Sequence, residues 1–203
     1  MAAAPSGTRL TVDTRLALAR LEHRQQRIRA QIAQDVEDAG LLLRRGSPGD
    51  AAGERSDRHL DVIRLLQRPP LIWRLAADLV DLVPADLRAQ IHIVAGRGEA
   101  GAILAHVVAG LIDGHRALID APCRFAMFAQ GPPGTLSLDP VFASAMRGQA
   151  VLLVEACYDD PEIWQACLDL VHQAGGRVAA GTAIWARPDL LSGSSPRVIA
   201  LCD

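Results

Sequence analysis

Between residues 91 and 186 short apolar runs alternate with stretches of helical periodicity, and this alternation constrains the fold more than any other feature of the chain. "IHIVAG", "RALIDAP", "AVLLVEA" and "RVAAGTAIWA" read as strands, while "GEAGAILAHVVAGLID" and "PEIWQACLDLVHQAGG" read as helices. Strands linked through helices of this length cannot close as hairpins, so they pair in parallel and the helices cover both faces. The expected class is α/β. Ligands of such sheets bind beyond the carboxyl ends of the strands, which points to residues 96–101, 124–131 and 155–162 and to Arg187.

Upstream the pattern is helical. Residues 1–8 are small and polar and are expected to be disordered, and 9–203 to form a single domain. Residues 9–40 read as one long helix, a candidate dimerisation element, with Leu21, Ile28, Ile32 and Val36 on one side and Gly40 as C-cap. "RRGSPGDAAGERSDR" has loop composition. "HLDVIRLLQRPPLIWRLAADLVDLVP" predicts a short strand-like piece, a turn, and a helix starting near Pro70. "AQGPPGTLSLDP" reads as a mobile loop.

A chain of 203 residues suits one core rather than two. Half its residues are hydrophobic but only 3% are aromatic, so Leu, Val, Ile and Ala must fill that core. Trp73, Trp164 and Trp185 are expected inside it, and His92, His106 and His172 read as structural. A net charge of -2 gives no general attraction to nucleic acid. The four cysteines form no CxxC pair and no Cys/His spacing suits zinc, so neither metal nor cofactor is expected. The start lacks the layout of a signal peptide. The longest apolar stretch, "AGAILAHVVAGLI", is shorter than the roughly 18 residues of a membrane span. The expectation is a cytoplasmic protein without a membrane or nucleic-acid partner.

Five stretches carry a family resemblance. "AAGERSDRHLD" is similar to a Ser-Gly-x-x-Ser motif followed by an aromatic pair and Asp, with Gly53, Ser56 and Asp61 on matching positions. "IVAGRGEAGAILA" is similar to a strand, a pyrophosphate loop and a helix. "RFAMFAQG" aligns with a mobile catalytic loop, Arg-Lys-x-x-Lys-x-His-Gly; Arg124 and Gly131 match, while Phe125 and Phe128 replace the lysines and Gln130 the histidine. "VLLVEACYDDPEIW" aligns with a diphosphate-ribose motif of two acids and then Thr-Thr-Gly-Gly-Ser/Thr, of which Glu155 survives and Ala156 replaces the second acid. In "GTAIWARP" Arg187 is kept and Ala186 replaces Asp. In this order, across about two thirds of the chain by register, they resemble the type I phosphoribosyltransferases, orotate phosphoribosyltransferase most closely. The resemblance implies a Rossmann-like parallel sheet, a dimer, and a site for phosphoribosyl diphosphate.

The residues argue against that last implication. A phosphate is held where backbone N–H groups converge at a helix start. In "YDDPEIW" Pro161 has no N–H, no glycine remains, and three carboxylates would face the anion. Like charges about 4 Å apart cost roughly 4 kcal/mol at an effective dielectric near 20. The same residues make a good helix start, with Asp160 as N-cap, Pro161 at the first position and Glu162 on the dipole. Phenylalanine in place of lysine cannot neutralise a departing pyrophosphate.

The candidate ligand-binding set is Gly98, Glu99, Ala100, Gly101, Arg124 and Arg187, with Glu155 as the catalytic candidate beside Asp159, Tyr158 and His59. Arg124 and Arg187 either present guanidinium forks to a small anionic or aromatic ligand or pair with nearby acids. Two functions stay open: a diverged protein without diphosphate-dependent transfer that binds a ligand or partner, as homodimer or as heteromer with a related subunit, and a repurposed enzyme acting on a small non-phosphorylated substrate.

Overall fold

A computed structural model of the chain describes residues 23, 26, 27, 29–44, 58–116, 121–132, 135–191, 196 and 198–202. The terminal segment 1–8, the first half of the expected N-terminal helix, Gly53 and Ser56 lie outside these. Helix α1 is described over 29–38, with Ile32 and Val36 buried. It ends at Gly40, whose φ of 64° is the left-handed value a glycine adopts without strain.

Strand β1 (Leu42–Arg44) pairs antiparallel with β2 (Arg58–Leu60). The stretch expected to be strand-like thus yields only three strand residues. Asp61 then accepts from the Arg64 N–H at 3.0 Å and caps helix α2 (Val62–Leu66), which overrides the strand preference of Val62 and Ile63. Helix α3 (Pro69–Leu82) starts at its proline pair as expected, and a short α4 (Ala85–Gln90) follows.

The main sheet has the order β5-β4-β3-β6-β7-β8. Its parallel body comprises β3 (Ile93–Arg97), β4 (Arg124–Gln130), β6 (Ala150–Tyr158), β7 (Arg177–Ala186) and β8 (Val198–Cys202). A short β5 (Leu136–Leu138) lies antiparallel on β4, inside the segment expected to be loop. Helix α5 (Gly98–Gly114) connects β3 to β4, α6 (Pro140–Met146) precedes β6, α7 (Pro161–Gln173) connects β6 to β7, and α8 (Pro188–Leu191) follows β7. Most of "RALIDAP" falls outside the described residues. The strand of that region is β4, on the segment the resemblance made a loop, because "RFAMFAQ" alternates and buries Ala126 and Phe128 against the core.

The sheet is covered on both faces. Leu152 and Val154 of β6 point into the core shared with α3 and α5, and their neighbours Val151 and Leu153 into the core shared with α7. Trp164 of α7 seats on Gly181 of β7, where an added Cβ would lie 2.2 Å from the indole. Trp73 departs from expectation: it lies on α3 with 53% of its surface exposed, while Trp164 and Trp185 are buried.

Candidate functional site

The chain leaves β3 for β4 on one side and returns to β6 on the other, so the strand order reverses between β3 and β6. Crevices open at such reversals, outside the carboxyl ends of the strands. A cavity of about 590 Å³ lies there, walled by the start of α5, the ends of β4 and β6, and the apolar face of α2 (Val62, Ile63, Leu66).

Glycines make the approach possible. A Cβ on Gly96 would lie 1.9 Å from the Gly101 carbonyl oxygen, so β3 and the first turn of α5 touch backbone to backbone. Gly98 turns the chain into the helix at φ 60°, under the Gln130 side chain. The amides of the first turn open toward the cavity without a side-chain cap. Exposed Glu99 stands among them and opposes an anion.

Arg97, the last residue of β3, and Glu155 of β6 lie one step beyond the Gly96–Val154 pair, and their side chains meet at 3.4 Å. Glu155 is 7% exposed. Burial pushes its carboxyl up to about 8, against the pull of the Arg97 guanidinium. A carboxyl protonated at neutral pH in a crevice can donate a proton or a hydrogen bond.

The start of α7 is closed. The Asp160 carboxylate accepts from the N–H groups of Glu162 at 2.9 Å and Ile163 at 3.3 Å, Pro161 contributes no donor, and Glu162 lies on the dipole. The helix supplies its own anions, as expected. Among the described residues no three His, Cys, Asp or Glu side chains gather to hold a metal ion.

Gly98, Glu99, Ala100, Gly101 and Glu155 therefore converge on one crevice. Arg187 stands at the same end of the sheet, exposed, one residue past β7, with its N–H donating to the Tyr158 carbonyl at 3.0 Å. Arg124 is not brought there. It pairs with Ile93 at the amino end of β4, so the length of the strand separates it from the crevice, and it lines a groove with Trp73, Phe125 and Phe142. Tyr158 is buried edge-on against Trp164 at 5.1 Å, and Asp159 is exposed. The His59 side chain lies outside the described residues. His106 stacks edge-on with Phe125 at 5.0 Å, and His172 is exposed on α7.

Arg97, Met127 and Gln130 fall within the segments 96–101 and 124–131 that the sequence points to, without being singled out as ligand-binding residues, and the α2 wall lies outside those segments. What brings Arg97 to Glu155 is register, since the pairing of Gly96 with Val154 sets the next residue of each strand level. The α2 wall depends instead on where the β1–β2 ribbon lays the helix.

No family model matches the chain. The orotate phosphoribosyltransferases of Novosphingobium aromaticivorans and Acidithiobacillus ferrooxidans are 31% and 34% identical to it over 134 residues, 66% of this chain and 63% of each of theirs. The chain is similar in sequence to the orotate phosphoribosyltransferases. It spans a little under two thirds of the length of the curated relatives it matches. Adenine phosphoribosyltransferase from Saccharomyces cerevisiae superimposes with TM-score 0.61 at 17% identity, covering 85% of this chain and 99% of that one. Orotate phosphoribosyltransferase from Aeropyrum pernix gives 0.58 at 18%, covering 84% and 92%. These likenesses establish the type I phosphoribosyltransferase fold. On this orotate phosphoribosyltransferase-like sheet, the start of α5 is the open helix terminus of the crevice and that of α7 is occupied by its own Asp160. Among the described residues no helix is long and apolar enough to cross a membrane.

Proposed function

We propose that this orotate phosphoribosyltransferase-like chain no longer transfers from phosphoribosyl diphosphate and acts as a ligand-binding or partner-binding subunit. One observation carries the reading: Asp160 already occupies the two amides that a phosphate at the start of α7 would need. The crevice supports it. Its cationic side chain, Arg97, is held by Glu155 at 3.4 Å, and Val62, Ile63, Leu66, Met127 and Ala129 make much of the wall apolar. Such a lining suits a small, flat or partly apolar ligand, anchored at the amides of α5 with Arg187 at the rim. Association with a second copy or a related subunit in the cytoplasm belongs to the same reading.

Calorimetric titration with phosphoribosyl diphosphate and Mg²⁺, and separately with orotate, tests it. Micromolar binding of the diphosphate overturns the proposal. Orotate binding that is lost in Arg187→Ala supports a retained carboxylate ligand. No heat from either favours the partner-binding role.

A second reading, a repurposed enzyme, is favoured by Glu155 alone, whose carboxyl near 8 suits a general acid. It requires activity that falls as pH rises through that value and is absent in Glu155→Gln.

A further inference from the structure

The opposite end of the sheet carries a second polar cavity, of about 560 Å³, beneath the amino ends of β3 and β4. Two arginines and two histidines come to it from three segments: Arg88 from α4, His92 from the entry to β3, and His115 and Arg116 from just past the end of α5. Ala85, Ala89 and Ile112 supply apolar wall, and no carboxylate is among the described lining residues.

The two arginines are fixed in place chiefly by backbone carbonyls. Arg116 donates through Nη1 to the Ala121 carbonyl at 2.8 Å and through Nη2 to the Ile91 carbonyl. Carbonyls orient a guanidinium but leave its charge, and three of its five donors remain. Among the described residues Arg116 has no ion-pair partner; the nearby Asp113 accepts from the Cys123 N–H instead. Arg88 donates to the Val80 carbonyl at 3.1 Å and meets Asp81 only at 3.8 Å, where the acid is 54% exposed and screened by water. His115 Nδ1 is engaged by the Leu111 carbonyl at 2.7 Å, which leaves Nε2 outside that hydrogen bond. The His92 backbone is pinned between Ala150 and Arg124, yet its buried Nδ1 has no hydrogen-bond partner. A buried polar atom left unsatisfied costs about 1–3 kcal/mol.

We infer that this cavity binds the phosphoryl group of a small metabolite, at a site separate from the crevice. Donors arriving from several directions suit a tetrahedral dianion better than a planar carboxylate, which a single guanidinium fork satisfies. The volume exceeds what a bare phosphate needs and falls in the range of small-ligand sites, roughly 300–1,000 Å³. The alanines and Ile112 face the organic part of such a ligand.

The test is calorimetric titration of the full chain with inorganic phosphate and with ribose 5-phosphate, for the wild type and for Arg88→Gln, His115→Gln and Arg97→Gln. Arg88→Gln retains a donor for Val80, and thermal melts without phosphate confirm that each variant is folded. Loss of one charge-assisted hydrogen bond weakens binding about 10- to 100-fold, so Arg88→Gln and His115→Gln are expected to lose that much while Arg97→Gln loses none. Tighter binding of ribose 5-phosphate identifies a phosphoester as the ligand, and equal binding identifies free phosphate. No binding of either in the low millimolar range, or binding reduced only by Arg97→Gln, overturns the proposal.

Discussion

Glu155→Gln separates a buried acid from a merely buried side chain. The native carboxyl keeps its proton to about pH 8, whereas the unfolded chain releases it near 4.5. Between those values the native state binds more protons, so this group's contribution to stability is complete below about 4.5 and is lost as pH rises through 8. At about 1.4 kcal/mol per pH unit the displacement sets a ceiling of roughly 5 kcal/mol. Relaxation and water entry around the newly charged carboxylate reduce that, and we expect about 2 kcal/mol. Glutamine keeps the shape and an oxygen for Arg97 but cannot ionise. The two proteins should therefore be equally stable near pH 5, and the variant should be more stable by about 2 kcal/mol near pH 9. Urea denaturation across this range measures the difference without adding salt that would screen the pair. Parallel stability profiles for wild type and variant would refute the argument, because any slope would then arise elsewhere.

Removing the cation should widen the same window: in Arg97→Gln the Glu155 carboxyl rises further, so the loss of stability still begins near pH 4.5 but continues to higher pH and grows larger in the same urea series. Gly96→Ala forces a Cβ to within 1.9 Å of the Gly101 oxygen, and should cost about 3 kcal/mol or abolish folding, read from thermal melts. Asp160→Ala removes the cap of α7 and should lower stability by about 1 kcal/mol, seen as a shifted urea midpoint. Trp73→Ala removes a side chain that is 53% exposed, so its cost should stay below about 1 kcal/mol, well short of the 3–5 kcal/mol of a core tryptophan.

The alternation of apolar runs and helical periods made the parallel sheet legible, because each period states which faces a segment must bury. The self-capped start of α7 was legible for the same local reason: Asp160, Pro161 and Glu162 act on amides two or three positions away. Local rules misled at Val62 and Ile63, whose strand preference yielded to the Asp61 cap, and at Arg124, which a motif alignment placed in the site. Its real position follows from register, since the strand begins at Arg124 and the sheet turns it toward the far end.

The sequence by itself determined the class of fold, the helix covers and the glycine-tight turn at residues 96–101, all consequences of contacts within a few residues. The tertiary structure decided what charge meets what charge. Arg97 joins Glu155 across 58 positions, and two arginines and two histidines from three segments line the amino-end cavity. Such meetings depend on strand order and register, which summed burial over the whole sheet selects and no single segment encodes.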